Sequence, residues 1–570
     1  MRRQRRGFAL LALLLGFGLL ATACSSDSKT TTAGSNSAAT TGSSSRAEVP
    51  TGGTLTIGAE QEPDCMDWIG TCSGSSWGYW MVTVQTLPRA FDVVKDSGGK
   101  YDYKHSILLK DEPKLETSPV QKVTYNIADD AVWSDGQPIT SSDFKYTWDQ
   151  VANGTDVYDK SGYELIDKVD DTNPKVAVVT FKSGSTYSDW KGLFTGNYGV
   201  FPSHILTGKD RDAEMKDGYK FSGGPWILDS WTKTDSIVLV PNPKYWGTKP
   251  KLDKVIFKVQ ADTSAEFTAF KSNQTSVIYP QPQLDAVDQI NAGLPDTQKV
   301  VTTSTGNFEA LWLNMGKAPF DDAAVRKAVG YAIDRAAIVE RLFGALGVKE
   351  PLQNLNATIL SKYGDEKAFE AYKLDLKKVD DLLKGAGYAK GADGLYAKGG
   401  TKLSFTVRST AGNKRRELTE QVLQQQMKDA GIGMQIDNIK AGDLFGSALP
   451  TGDFQAAIYA QVVTTLGPST CNIFCSKNSK PIGEKGGNNY TRTNIPALDK
   501  VLLQMDGELD DSKLVSEGKD ASKLAAENAI SIPIDPLPNI LLWSNKVVGD
   551  LDDNAVLGPF WNVNTWGVTG

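Results

Sequence analysis

Along this chain, short stretches that alternate apolar and polar residues trade places with longer ones whose apolar residues recur every three or four positions. Residues 54–58 (TLTIG), 122–127 (KVTYNI), 176–181 (VAVVTF), 237–240, 255–259, 403–407 (LSFTV), 434–436 and 454–459 predict strands. Helical spacing predicts four helices. One begins at Asp143 behind Ser142 as cap and carries Phe144, Tyr146, Thr147 and Trp148. A second opens at Asp262-Thr263-Ser264, runs through Phe270 and ends near Asn273. A third spans 322–342 without a break, with Val325, Ala328, Val329, Ala332 and Ile333 on one face. The fourth, 415–430, puts Leu418, Val422, Leu423 and Met427 on one side and ends at Gly431. Asp135-Gly136 marks a turn. The reading is mixed α/β without tandem repeats.

The N-terminus has a different grammar. Arg2, Arg3, Arg5 and Arg6 precede the apolar run 8–20, and small residues lead into Cys24. A basic start, a short apolar stretch and small residues before a cut site make a secretory signal over 1–23. The run is shorter than the ~20 residues a spanning helix needs. The residues before Cys24 resemble a bacterial lipobox, which implies acylation of Cys24. Residues 25–48 are Ser, Thr, Ala, Gly and Asn with hardly a large apolar side chain, a composition that cannot offset its ordering entropy and serves as a tether. These features place the folded body outside the cytoplasmic membrane, held to its outer face by lipid alone.

The body that follows is too long for one core, so two or three lobes are expected. The formal charge is −7, more negative once the signal arginines are removed, and no basic block occurs. That argues against a nucleic-acid partner. The four cysteines beyond Cys24 form two close pairs, Cys65 with Cys72 and Cys471 with Cys475, which in an exported chain suggests two disulfides. With His105 and His204 as the only histidines, a Cys/His metal cluster has no material. There is no G-x-S-x-G elbow, and neither histidine has a triad setting, so nothing points to an enzyme or a cofactor.

Four stretches carry a resemblance to a known family. Trp133-Ser134-Asp135-Gly136-Gln137-Pro138-Ile139-Thr140 with Asp143-Phe144 resembles the pattern W-S-D-G-x-P-x-T-x-x-D-F. Gly223-Gly224-Pro225-Trp226 with Asn242-Pro243-Lys244-Tyr245-Trp246 is similar to G-T-G-P-Y followed by N-x-x-Y-W. Pro319-Phe320-Asp321-Asp322, Val325-Arg326-Lys327-Ala328 and Ala332-Ile333-Asp334-Arg335 resemble P-F-x-D-x-x-V-R-x-A and A-I-D-R. Residues 403–431 resemble a late strand–helix unit. Together they resemble family 5 of bacterial extracellular solute-binding proteins, the oligopeptide- and dipeptide-binding group. The resemblance implies a periplasmic-binding-protein fold, two α/β lobes closing over a cleft plus an extra small domain. Lobe one is expected at 50–85, 205–305 and 530–570, the extra domain at 86–204, and lobe two at 306–529. It further implies a monomer that captures peptides for an ABC importer whose permease and ATPase are separate chains.

Within that frame Trp133 and Asp135-Gly136 read as a structural turn, Asp321-Asp322 as a helix start, and Arg326, Arg335, Arg415 and Arg416 as solvated or ion-paired surface residues. Arg408, at the end of its strand, resembles the arginine that grips a ligand carboxylate in dipeptide binders, a task that suits a planar guanidinium. Trp77, Asn314, Tyr459 and Tyr490 are placed near the cleft by family position. Thr464 stands about where peptide binders carry the aspartate that pairs with the ligand ammonium. This departure leaves open a non-peptide cargo such as a sugar, a metal chelate or a modified natural product. A sensor lipoprotein reporting a peptide signal is the other alternative.

Overall fold

The strands read at 54–58 and 255–259 lie side by side, in parallel, at the centre of a seven-stranded sheet. The computed structural model describes residues 48–570 apart from 71, 73, 74, 197 and 486. The signal segment 1–23, Cys24 and the tether to residue 47 fall outside the described residues. The sheet runs, edge to edge, Thr297–Thr302, Asn539–Ser544, Val277–Ile278, Thr54–Ala59, Lys254–Val259, Ser236–Pro241 and Trp226–Thr232. A second sheet has five strands in the order Gly433–Ile436, Ser404–Arg408, Ala456–Val462, Asn307–Leu313 and Ser531–Pro536. A four-stranded antiparallel sheet, Lys114–Glu116, Lys122–Asn126, Val176–Phe181 and Ile166–Asn173, forms a smaller unit. Among the described residues no helix is long and apolar enough to cross a membrane.

Packing shows how these layers are grouped. One continuous core takes Leu55 and Ile57 of the first sheet together with Val123, Phe144 and Val179 of the smaller unit. A separate core, including Leu311, Val325, Phe405 and Ile532, belongs to the second sheet. The chain passes between the two sheets at 303–306 and again at 537–538. Ser531–Pro536 pairs with Asn307–Leu313 before the second passage. The two crossings run side by side and are stitched together. The Thr305 hydroxyl donates to the Leu537 carbonyl at 2.8 Å, and the Leu537 N–H donates to the Asn307 carbonyl at 3.1 Å. Gly306 belongs here because a Cβ would sit 2.7 Å from the Ala555 carbonyl oxygen and 3.0 Å from that of Val463.

Several local expectations are corrected. The helix at 141 is capped by Thr140 in a capping box with Asp143, not by Ser142. Ser142 instead bonds Asp171 at 3.0 Å. The stretch 322–342 is two helices, Ala323–Tyr331 and Arg335–Phe343. The break comes at Asp334, which leaves helical geometry so that its carboxylate accepts from Ala337 N–H at 3.0 Å. Arg326 and Arg335 are buried, not at the surface. Arg335 donates to the carbonyls of Leu352 and Phe369, both at 2.7 Å, and ties loop to sheet. Trp133 is fully buried and donates to Asp143 at 3.2 Å, the structural role read for it. Both disulfides are present, Cys65–Cys72 and Cys471–Cys475.

Candidate ligand-binding cleft

Strand Ala456–Val462 runs antiparallel to Asn307–Leu313 and parallel to Ser404–Arg408, so its C-terminal end reaches the rim of the second sheet. There the chain turns through Thr464, Thr465 and Gly467. Facing it are residues 159–165, 187–193 and 198 of the smaller unit. Between them lies a cavity of about 230 Å³. The walls touch at its edge. Ser188 N–H donates to the Asp506 carbonyl at 2.7 Å, and the Thr186 hydroxyl to the Gly507 carbonyl at 2.6 Å. Leu466 N–H donates to the Tyr103 hydroxyl at 2.8 Å, which in turn donates to Asp189 at 3.0 Å. These contacts join the two walls along that edge.

The cavity wall is acidic. It carries Asp159, Glu164, Asp189 and Asp506 against the single cation Lys477, which sits 3.8 Å from Asp506. Asp189 is 8 % exposed. Burial pushes its carboxyl up to about 7, against the opposing help of the Thr465 and Tyr103 hydroxyls and Gly192 N–H. Burial also raises Asp506, offset in part by Ser469 and Lys477. Tyr187, on the same wall, is held well above the usual phenol range by burial and then by the charges of Asp189, Asp159 and Asp506. Apolar and aromatic surface from Tyr163, Tyr198, Phe308 and Leu360 completes the lining.

The expected site residues scatter. Thr464 lines the cavity. Arg408 ends its strand as read, but its guanidinium is engaged by Asp437 at 3.0 Å and Asp453 at 3.2 Å, outside the cavity wall. Asn314 is fully buried and satisfied by backbone, donating to Gly452 and Phe454 carbonyls at 3.0 and 2.9 Å. Trp77 packs with Trp80, Tyr279 and Phe560, ring centroids 5.8–6.1 Å apart, in the first lobe's core. Tyr459 stacks on Trp312 at 5.0 Å, with Tyr490 edge-on at 6.5 Å. Arg415 and Arg416 are not solvated. Both clamp the buried Glu309, at 2.8 and 2.7 Å. Burial raises the Glu309 carboxyl, but the two arginines outweigh it and hold it below the ordinary value. Asp189 escaped the sequence reading because it sits in an aperiodic turn far from the strand it faces.

Two α/β lobes joined by paired crossings, with a cavity at a strand end between the second sheet and the smaller unit, define a periplasmic-type binding protein. Solved structures agree. AppA from Bacillus subtilis, determined with a nonapeptide, superposes with a TM-score of 0.77 at 20% identity, over 92% of this chain and all of that one. The periplasmic EDTA-binding protein EppA superposes with a TM-score of 0.79 at 23% identity, over 92% of this chain and 98% of that one. The chain belongs to the bacterial extracellular solute-binding proteins, family 5, whose model of the middle region matches residues 111–480. The oligopeptide-binding protein OppA of Mycobacterium tuberculosis is 23% identical over 502 residues, covering 83% of this chain and 79% of that protein.

Proposed function

We propose that this protein captures a small peptide or peptide-like solute outside the cytoplasmic membrane and presents it to an ABC importer. Its permease and ATPase are separate chains, and a lipid on Cys24 holds the protein at the membrane. The cavity at the end of strand Ala456–Val462 carries this reading, since ligands of lobed α/β proteins meet the C-terminal ends of strands. The test is native mass spectrometry of the protein as purified and again after unfolding. Release of short peptides supports the reading. Release of a single non-peptide mass replaces peptide by that cargo and leaves capture standing. That second outcome has its own support in the threonine at 464, where a peptide binder's aspartate would stand.

A further inference from the structure

The cavity contains a buried acid without a counter-ion. Among the described residues no lysine, arginine or histidine pairs with Asp189; its partners are two hydroxyls and a backbone N–H, all neutral. A buried carboxylate held only by neutral donors is a costly arrangement in an empty protein. It becomes favourable when a cation arrives. The wall around it reinforces the sign, with Asp159, Glu164 and Asp506 facing one lysine that Asp506 already engages. Tyr187, which also lines the cavity, lies among three of these carboxylates. A metal ion does not fit this picture, for among the described residues no three of His, Cys, Asp or Glu are grouped to hold one.

We propose that the cargo is a small molecule bearing a cationic group, and that Asp189 receives that ammonium or guanidinium, doing from the smaller unit's wall what Thr464 does not do from the strand end. The inference rests on the cavity being the ligand site. It specifies the charge that the site selects, whether or not the cargo is a peptide.

A pH dependence follows. Tyr103, Tyr163 and Tyr187 face Asp189 and stay neutral below pH 10; Asp159, Asp506 and Lys477 are the charged groups around it. Since the Asp189 carboxyl titrates near 7, a cation must displace its proton in mildly acidic solution. For a permanently charged cation such as choline, affinity is expected to fall about tenfold from pH 8 to pH 6; for an α-amine, which itself gains a proton over that range, the fall is about fourfold.

The experiment presents the ligand-stripped full chain with one mixture: free-amine dipeptides, the same dipeptides N-acetylated, putrescine, agmatine, choline, a neutral disaccharide and an anionic dicarboxylate. Native mass spectrometry reads which are retained at pH 8 and at pH 6. The expected result is retention of free-amine dipeptides, loss of that retention on acetylation, and at least ~30-fold weaker binding in Asp189→Asn. Retention of putrescine, agmatine or choline alone, with the same dependence on Asp189, supports the inference and removes the peptide reading. Equal retention of acetylated and free dipeptides overturns the inference while peptide capture stands. Retention of only the disaccharide or the dicarboxylate, or of nothing, overturns it as well. The comparison of free with acetylated probes needs no variant, so a poorly folding Asp189→Asn does not blunt the test.

Discussion

Asp189→Asn should make the empty protein more stable at alkaline pH, although it weakens binding. In the folded chain the carboxyl is raised from 3.8 to about 7 by burial. At 1.36 kcal/mol per pKa unit that difference is about 4 kcal/mol. A raised folded-state pKa contributes stability that is fully present below the unfolded value, near pH 4. It is lost as pH climbs and gone above about 7, where both states are ionised. Asparagine does not titrate, so it escapes this loss. It replaces one acceptor oxygen with an amide and so forfeits a hydrogen bond to Thr465 or Gly192, about 1 kcal/mol. The balance is a variant less stable than wild type by about 1 kcal/mol near pH 4 and more stable by about 3 kcal/mol at pH 8. With about 520 ordered residues at ~2.1 cal/mol/K each, 3 kcal/mol moves Tm by about 3 °C. Calorimetry of ligand-stripped proteins at both pH values measures it. Other acids raised by burial, among them Glu60, Glu266, Glu420, Asp506, Asp535 and Asp553, are common to both proteins and cancel in the difference. A variant no more stable than wild type at pH 8, or one whose Tm keeps the wild-type dependence on pH, would refute the reasoning.

Thr464→Asp should place a second carboxylate at the cavity wall and raise affinity for a free-amine dipeptide about tenfold in calorimetric titration at pH 8; unchanged affinity would show that the strand end does not reach the ligand. Glu309→Gln should leave Arg415 and Arg416 with the buried Asp535 as their neighbouring acid, whose carboxyl Glu309 no longer holds up, and should cost less than the about 3–5 kcal/mol of an uncompensated break, read as a lowered midpoint in urea. Gly306→Ala should wedge a methyl between two backbone carbonyls at the crossing, destabilise this packing by about 1–3 kcal/mol, and increase the radius of gyration in small-angle scattering.

The strands were legible because alternation survives wherever one face of a sheet is covered: Val176–Phe181 and Ser404–Arg408 fall within a residue of their expected bounds. The break at Asp334 was not. Ala332 and Ile333 keep the helical period across it, and only the side-chain cap of Asp334 reveals the interruption. Arg415 and Arg416 look solvated at a helix start. Their partner Glu309 comes from the middle of a strand whose pairing no local pattern announces. The cleft was half legible. Thr464 could be placed from its strand, whereas Asp189 depends on how a separate unit docks, a long-range matter that residue periodicity does not encode.

The two walls of the cavity have unequal ancestry in the chain. One is assembled from pieces around 308, 355–360, 461–478 and 506, so any change there disturbs a sheet and several helices at once. The other comes from pieces at 159–165, 187–193 and 198, all within one stretch of the chain, which carries Asp189, Tyr187 and their neighbours together. A recombination event that exchanges one stretch of gene can therefore replace the chemistry facing the cargo while the opposite sheet is inherited intact. Such modularity lets a lineage acquire new nutrients without rebuilding its receptor.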